Sequence, residues 1–196
     1  MSSNKLVLPR LIGFCGYALS GKNTAAEELN KLLKEQEINI EYNIVGFADS
    51  LKGDIKPCID FCKNYGVDTT TSEFKKIFRP MWVLWSRIAK EATGNKHIWV
   101  KRLFDVIDRA KYSYIAICDV RYEYEVKEII SNGGVVFFMN RDGVTFANEE
   151  EQTSFEEIKQ NYFATMITWS VNNNTTKREL GLQIFNKLVE YAENNS

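Results

Sequence analysis

The chain has 196 residues and a formal net charge of −1, with 25 basic and 26 acidic residues interspersed along most of its length. This length suits one domain, with residues around 53–95 as a small helical insertion, and the balanced charge excludes a general nucleic-acid-binding surface. Four cysteines without a metal-binding pattern, and no apolar run of membrane length or signal-peptide core, predict a soluble protein in a reducing cytosol.

The first predicted strand and helix enclose a glycine-rich loop. An apolar run over Leu11–Cys15 predicts a strand, and apolar residues at helical spacing predict a helix over Lys22–Glu35. Between them, Gly16 and Gly21 stand five apart with Lys22 directly after, which is the spacing of a phosphate-binding loop. Backbone N–H groups and the helix dipole would bind the anion there, and Lys22 would reach its outer phosphates.

The hydroxyl that often follows such a lysine is displaced by one position. Asn23 follows Lys22 and Thr24 carries the hydroxyl, so Mg²⁺ is expected to be held through water. The residues of this loop and helix start that we expect to bind the phosphates of a ligand are Gly16, Ala18, Ser20, Gly21, Lys22, Asn23 and Thr24.

The middle of the chain is predicted to hold one strand and several helices. Asp49 and Ser50 are N-cap residues for a helix that starts near Leu51, and Pro57 kinks or restarts that helix. Pro80 is expected to begin a new helix, because proline fits best in a first turn. The other elements predicted here are a strand over 40–48, a loop over 64–72 with Thr71 or Ser72 capping the next helix, and a helix end at Gly94-Asn95.

The second half alternates helices with strands. The predicted elements are a helix over 99–107, a strand over 114–119, a helix over 121–131, a strand over 134–139, a helix starting at Thr153 or Ser154, a strand over 166–171, a polar turn over 172–174 and a helix over 180–191. The acidic run Glu149–Glu151 is interpreted as a solvated surface. Such alternation predicts an α/β fold with a central parallel sheet of about five strands and helices on both faces.

Charged residues follow the predicted strands, at the edge where ligands of parallel sheets bind. Asp119 closes an apolar strand and is interpreted as an acid that positions Mg²⁺, although an aspartate there can also cap a helix. Guanidinium groups suit phosphoryl transfer because they bind phosphate bidentately. The arginines near element ends are Arg79, Arg87, Arg121 and Arg141, whereas Arg102, Arg109 and Arg178 are assigned to solvated helix faces.

Several segments in this order resemble a known family. They are Ser20–Thr24, Gly46–Lys52, Arg87 seven residues before Gly94, Ile98–Val100, the D-x-R-x-x-x-E segment Asp119–Glu125, and Val136–Arg141. Together they resemble the phage-type deoxynucleoside monophosphate kinases, within the P-loop nucleoside monophosphate kinases. The resemblance implies a three-layer P-loop fold that transfers phosphate from ATP, with Mg²⁺, to a deoxynucleoside monophosphate. ATP would bind on the loop and helix-start residues Gly16 to Thr24 named above, and the helical insertion around 53–95 would act as a lid or bind the monophosphate.

The resemblance also implies roles for individual residues. Arg87 and Arg121 would grip the monophosphate, Glu125 would bind the nucleotide or Arg121 itself, and Arg141 would lie near the ATP base or a closing segment. The implied catalytic residues are Lys22, Arg87, Asp119 and Arg121, with Thr24 and Asp119 placing Mg²⁺ through water. The implied monophosphate-binding residues are Asp49, Lys52, Arg79, Arg87, Trp99, Arg121 and Glu125.

Two features depart from the family pattern and keep alternatives open. Asn23 stands where the family often carries Asp, and the stretch from Gly94 to Trp99 lacks a lid arginine. The alternatives are a kinase for another small acceptor, such as dephospho-coenzyme A, and a nucleotide-binding module without turnover. The expected partners are small nucleotides, with neither nucleic acid nor membrane. A homodimer stays open, and the expected location is the cytoplasm, that of the host for a viral chain.

Overall fold

The computed structural model describes residues 7–146, 149–162 and 168–195. They form two compact units, one comprising the chain up to Gly46 together with the chain from Lys111 onward, and the other comprising Phe47–Ala110. The predicted insertion over 53–95 lies inside the second unit. The frayed end predicted before Leu6 and the first two residues of the predicted last strand fall outside the described residues.

The first unit is built on a parallel sheet that has five strands in the described part of the chain. The strands are β1 Leu11–Cys15, β2 Asn43–Val45, β3 Ile115–Val120, β4 Val135–Asn140 and β5 Thr168–Asn172. Their order is β2-β3-β1-β4-β5, and every neighbouring pair runs parallel. β1 is therefore central, and the loop that follows it lies at the carboxyl edge of the sheet, where parallel sheets bind ligands.

The helices of the described residues are α1 Lys22–Glu35, α2 Ala48–Asp54, α3 Lys56–Asn64, α4 Ser72–Thr93, α5 Ile98–Ala110, α6 Glu123–Ser131, α7 Glu149–Tyr162 and α8 Lys177–Asn194. Helices α1 and α8 pack together against one face of the sheet, and α6 and α7 pack together with α6 against the other face. Successive side chains of a strand point to opposite faces. In β1, Ile12 and Phe14 join the core under α1 and α8, whereas Gly13 faces Ile129 of α6. The predicted fold class is confirmed. Among these helices, none is both long and apolar enough to cross a membrane.

The second unit is helical and is held by polar contacts as well as apolar ones. The guanidinium of Arg102 on α5 donates to both carboxylate oxygens of Asp54 on α2, with Nη2 and Oδ1 2.7 Å apart. The same carboxylate accepts a hydrogen bond from Trp85 Nε1 on α4. The assignment of Arg102 to a solvated helix face was therefore wrong, because its partner is a residue 48 positions away.

One helix start in the second unit, that of α2, differs from the prediction. The strand predicted over 40–48 is limited to β2, an edge strand that pairs only with β3, and α2 already begins at Ala48. Asp49 thus lies inside the first turn of α2 rather than at its N-cap. By contrast, α3 restarts with Pro57 in its first turn, and Thr71 caps α4 by accepting from Phe74 N, as predicted.

Pro80 does not begin a helix but lies inside the continuous helix α4. Its missing N–H removes one backbone bond of the helix, yet Pro80 is exposed, so water can reach the carbonyl left unpaired. On the inner face, Phe74, Phe78 and Trp82 stack in sequence with ring centroids 4.8 and 6.0 Å apart. The rings before and after Pro80 therefore form one continuous face along α4.

Two helix starts in the first unit were also predicted wrongly. Helix α6 begins at Glu123, so Arg121 precedes the helix instead of lying in it. Helix α7 includes residues from Glu149 onward, so Ser154 lies well inside it. Glu151 was assigned to a solvated run but is buried, because its side chain lies against Arg121.

Candidate functional site

The loop from Gly16 to Gly21 joins the central strand β1 to helix α1. Gly16 has φ +155°, and a Cβ there would lie 2.7 Å from the carbonyl oxygen of Met139 and 2.9 Å from Ser20 Oγ. Gly21 has φ +91°, a conformation that a side chain disfavours. Both glycines of the sequence motif are therefore required by the backbone conformation and by close neighbours.

Lys22 directs its ammonium back into this loop. Nζ donates to the carbonyl oxygens of Gly16 and Tyr17 at 2.6 and 2.7 Å, and the residue is only 8% exposed. Burial lowers the pKa of Lys22, and the positive charge of Arg121 lowers it further, whereas Asp119 opposes the shift. A buried ammonium beside a second cation is stabilised by an anion, and a phosphate bound in the loop would supply one.

The loop also offers hydrogen-bond donors for such an anion. Ser20 is 1% exposed, and its Oγ has no hydrogen-bond partner within the described residues. Helix α1 starts at this point with no side-chain cap and no acidic residue in its first turn. Its first N–H groups and its dipole therefore favour an anion at this end. Asn23 is exposed and Thr24 is half-buried in that first turn.

The carboxylate of Asp119, near the end of β3, lies against the backbone at the end of β2. A Cβ on Gly46 would come within 2.7 Å of Asp119 Oδ2 and 3.1 Å of Oδ1. Because Gly46 has no side chain, Asp119 can occupy this position, from which it acts electrostatically on Lys22. The sequence indicated Asp119 as a candidate, but the role of Gly46 depends on a contact between two strands.

Arg121 is held on three sides in the loop between β3 and α6. Its backbone N–H donates to Glu125 Oε2 at 2.7 Å, and its carbonyl accepts from Ser154 Oγ at 2.8 Å. Its guanidinium Nη1 lies 3.3 Å from Glu151 Oε1, an ion pair in which the Glu151 side chain is 7% exposed and that of Arg121 is 38% exposed. The contacts of Glu151 and Ser154 with Arg121 were missed at the sequence level, where Glu151 was assigned to a solvated acidic run and Ser154 was a candidate helix start.

Glu125 sits behind Arg121 and organises the start of α6. The same carboxylate oxygen that accepts from Arg121 N also accepts from Tyr122 N at 3.0 Å. Burial raises the pKa of Glu125 to about 8; the backbone N–H of Arg121 opposes the shift and the charge of Asp119 adds to it. Of the two roles implied by the resemblance, these contacts correspond to holding Arg121.

Helix α7 packs directly on the phosphate loop. The ring of Phe155 lies 4.5 Å from that of Tyr17 and 6.4 Å from that of Phe138, measured between centroids. Glu151 lies one helical turn before Phe155 on the same buried face. The contact that buries Phe155 therefore also brings the carboxylate to Arg121.

The remaining predicted residue of the first unit, Arg141, follows β4 and reaches the loop from outside. Its Nη1 donates to the carbonyl oxygen of Leu19 at 3.0 Å. Arg141 is therefore a neighbour of the loop between β1 and α1. The charges of Arg121 and Asp119 also act on Lys22 in this loop, the first lowering its pKa and the second raising it.

The other predicted residues belong to the second unit. Asp49 and Lys52 form an exposed ion pair of 2.9 Å along α2. Trp99 is buried, and its Nε1 donates to Ser86 Oγ at 2.8 Å. Arg79 and Arg87 lie on the outer face of α4, where they line an open groove of about 440 Å³ together with Lys76, Pro80, Val83 and Leu84.

Magnesium would have few direct protein ligands here. The described residues contain no group of three or more His, Cys, Asp or Glu side chains that could hold a metal. Mg²⁺ typically keeps several waters and binds one or two carboxylates plus substrate phosphates. The hydroxyl of Thr24 and the carboxylate of Asp119 fit that kind of binding.

Comparisons with known proteins give only remote matches. No protein-family model and no curated protein matches the chain. Among solved structures, it is similar to a gluconokinase from Sinorhizobium meliloti 1021, at 14% identity over 95% of each chain with a TM-score of 0.48. It is also similar to the Mycobacterium tuberculosis APS kinase in complex with AMPPNP and APS, at 11% identity over 92% of this chain and 98% of that one, with a TM-score of 0.42. Such remote similarity does not identify a substrate, so function has to be inferred from the residues of this chain.

Proposed function

We propose that this protein is a kinase that transfers the γ-phosphoryl group of ATP to a deoxynucleoside or ribonucleoside monophosphate. The observation that carries the proposal is the loop after β1, which contains both the buried Lys22 ammonium and the buried Ser20 hydroxyl, for which the described part of the chain supplies no hydrogen-bond partner. This combination of a cation, a hydroxyl donor and a helix N-terminus suits the phosphates of a nucleotide.

Phosphoryl transfer needs charge neutralisation and alignment, with no covalent intermediate on the protein. In this proposal the loop N–H groups and Lys22 bind the β- and γ-phosphates. Thr24 and Asp119 would hold Mg²⁺, partly through water, and the ion would supply positive charge on the transferring group when bound. Arg121, whose position Glu125 and Glu151 fix, would bind the phosphate of the acceptor.

The acceptor class is inferred from the second unit. The α4 groove combines the cations Lys76, Arg79 and Arg87 with the apolar side chains of Val83 and Leu84. A phosphorylated compound that also carries an apolar ring would match both parts, since guanidinium binds phosphate and the aliphatic surface packs on a ring. Nucleoside monophosphates have this chemistry, and so does dephospho-coenzyme A.

An ADP-release assay with ATP and Mg²⁺ tests the proposal. The acceptors would be ribo- and deoxynucleoside monophosphates, with dephospho-coenzyme A as the alternative acceptor. We expect turnover with at least one monophosphate, and we expect Arg87→Ala to raise the acceptor KM, with Arg109→Ala at the exposed end of α5 as the control. Turnover with dephospho-coenzyme A alone would show that the acceptor is dephospho-coenzyme A and not a nucleoside monophosphate. Tight ATP binding without turnover on any acceptor would instead indicate a nucleotide-binding module.

A thermal melt gives an independent measurement. A ligand that binds only the native state raises the melting temperature by mass action. Monophosphates should therefore stabilise the protein in the absence of ATP. If none of them shifts the melting curve at concentrations well above millimolar, the assignment of a monophosphate acceptor is wrong.

A further inference from the structure

Two consecutive carbonyl groups of the phosphate loop are held from outside by side chains that follow neighbouring strands. Arg141, after β4, donates from Nη1 to the carbonyl of Leu19 at 3.0 Å. Asn173, after β5, donates from Nδ2 to the carbonyl of Ser20 at 2.7 Å. The second contact joins residues 153 positions apart and was assigned no role at the sequence level, where Asn173 was only part of a polar turn.

These contacts constrain the direction of the loop N–H groups. In a planar trans peptide, the C=O and the N–H of the next residue point in opposite directions. Because Asn173 holds the carbonyl of Ser20, the N–H of Gly21 is turned away from Asn173. The Leu19 carbonyl held by Arg141 belongs to a residue with φ +67°, which is unfavourable for leucine, and Leu19 is 83% exposed with little packing to hold it.

The second glycine of the loop motif is matched to Asn173. A Cβ on Gly21 would lie 2.1 Å from Asn173 Nδ2, so the amide occupies the space that any other residue at 21 would need. The glycine is therefore required by its φ of +91° and, independently, by the side chain that holds the preceding carbonyl.

Asn173 is itself fixed by the ends of the two strands. Its backbone N–H donates to the carbonyl of Asn140 at 2.7 Å, and Asn174 Oδ1 accepts from Asp142 N at 2.8 Å. The segments after β4 and β5 are thus bonded to each other and approach the loop as one support.

We propose that Asn173 is a positioning residue that, together with Arg141, holds the phosphate loop in its anion-binding conformation. The proposal rests on the proposed function, because it assumes that the loop binds the phosphates of a nucleotide. Asn173 acts through the Ser20 carbonyl and does not contact the substrate. Its loss should weaken the binding of any polyphosphate, with or without a base.

The experiment measures calorimetric binding of inorganic tripolyphosphate and of ADP to the full chain, alongside thermal melts. Asn173→Ala should raise the Kd of tripolyphosphate and the Kd of ADP about five- to tenfold, because the loop loses preorganisation comparable to one or two hydrogen bonds. The melting temperature should change little. Arg141→Ala should weaken the binding of tripolyphosphate as well. Because both side chains hold one loop, the fold-increase of Kd in the double variant should be smaller than the product of the increases in the single variants.

Two neighbouring variants give a matched control for charge. Asn173→Asp removes the donor to Ser20, whereas Asn174→Asp adds the same charge one residue away and keeps the acceptor for Asp142 N. Only Asn173→Asp should lower tripolyphosphate affinity strongly. Equal losses in the two variants, or an unchanged Kd in Asn173→Ala, would overturn the positioning role while leaving the proposed function intact. If the unmodified protein binds neither tripolyphosphate nor ADP, the positioning role and the proposed function are both wrong.

Discussion

The guanidinium of Arg121 lies 3.3 Å from the carboxylate of Glu151, and this pair joins the segment after β3 to helix α7. The Glu151 side chain is almost completely buried, and the guanidinium of Arg121 compensates part of its charge. The same arginine is fixed through its backbone by Glu125 and Ser154. Helix α7 therefore positions the guanidinium that we propose as the ligand of the acceptor phosphate.

Glu151→Ala should lower the free energy of unfolding by about 1–2 kcal/mol, because it removes a charged hydrogen-bond partner at a buried site. It should also raise the acceptor KM and leave the ATP KM nearly unchanged, since Arg121 loses its fixed position. Urea denaturation and steady-state kinetics measure the two effects. Glu157→Ala, on the exposed side of α7, is the matched control. Equal effects of both substitutions would show that the pair has no specific role.

Lys22→Met should reduce ATP-dependent turnover by about two orders of magnitude or more, because it removes the positive charge inside the phosphate loop. The fold should persist, since Lys22 contributes contacts to the loop rather than to the apolar core. Lys34→Met, at the exposed end of the same helix, controls for loss of a lysine. A correctly folded Lys22→Met protein with an unchanged rate would refute the kinase proposal.

Asp119→Asn and Arg121→Ala should impair different steps of the reaction, although the two residues are only two positions apart. Asp119→Asn should lower kcat strongly and preserve monophosphate affinity, because the metal acts mainly as charge develops on the transferring group. Arg121→Ala should weaken acceptor binding as well, by on the order of 2 kcal/mol for a charge-assisted contact. Kinetics with each substrate varied separate the two patterns. Similar increases of the acceptor KM in both variants would mean that the roles proposed here for Asp119 and Arg121 are wrong.

Gly46→Ala should lower kcat in the same way as Asp119→Asn, because the added Cβ would come within 2.7 Å of the Asp119 carboxylate and force it to move. Stability should change little, since the short side chain can rotate away. Gly53→Ala is the control: no atom lies within 4 Å of a Cβ there, and alanine in a helix should raise stability by about 0.5–1 kcal/mol. Full activity of Gly46→Ala would show that the observed position of Asp119 is not required.

The buried carboxyl of Glu125 predicts a pH dependence of stability. Its pKa is raised to about 8 in the folded protein from an ordinary value of 4.5, so the folded state binds the proton more tightly. The stabilisation is complete below about pH 4.5 and is lost as the pH rises through 8. Glu125→Gln cannot titrate and can still accept from Arg121 N and Tyr122 N. Urea denaturation between pH 5 and 8.5 should therefore show a weaker decline with pH in the variant than in the unmodified protein.

Glu27→Gln, on the exposed surface of α1, controls for the loss of a carboxylate in that comparison. If Glu125→Gln loses stability with rising pH as steeply as the unmodified protein does, the decline has another source.

The sequence by itself determined the elements whose signal is local. The apolar runs of β1, β3 and β4 and the glycine spacing before Lys22 predicted a glycine-rich loop between a strand and a helix, and the structure confirms this placement. Alternation of strands and helices was enough to predict a parallel sheet covered on both faces, because parallel strands need crossover connections. Asp119 was recognisable because it closes a buried strand.

Only the tertiary structure decided which distant residues surround that loop. Glu151 reads as part of an acidic surface run and Asn173 as part of a polar turn, yet each bonds a residue that is 30 or 153 positions away. Pro80 lies inside a helix whose aromatic face runs past it without a break. Periodicity and turn chemistry report a residue's neighbours along the chain, whereas burial of Glu151 and the approach of Asn173 to Gly21 arise only when separate strands and helices pack together.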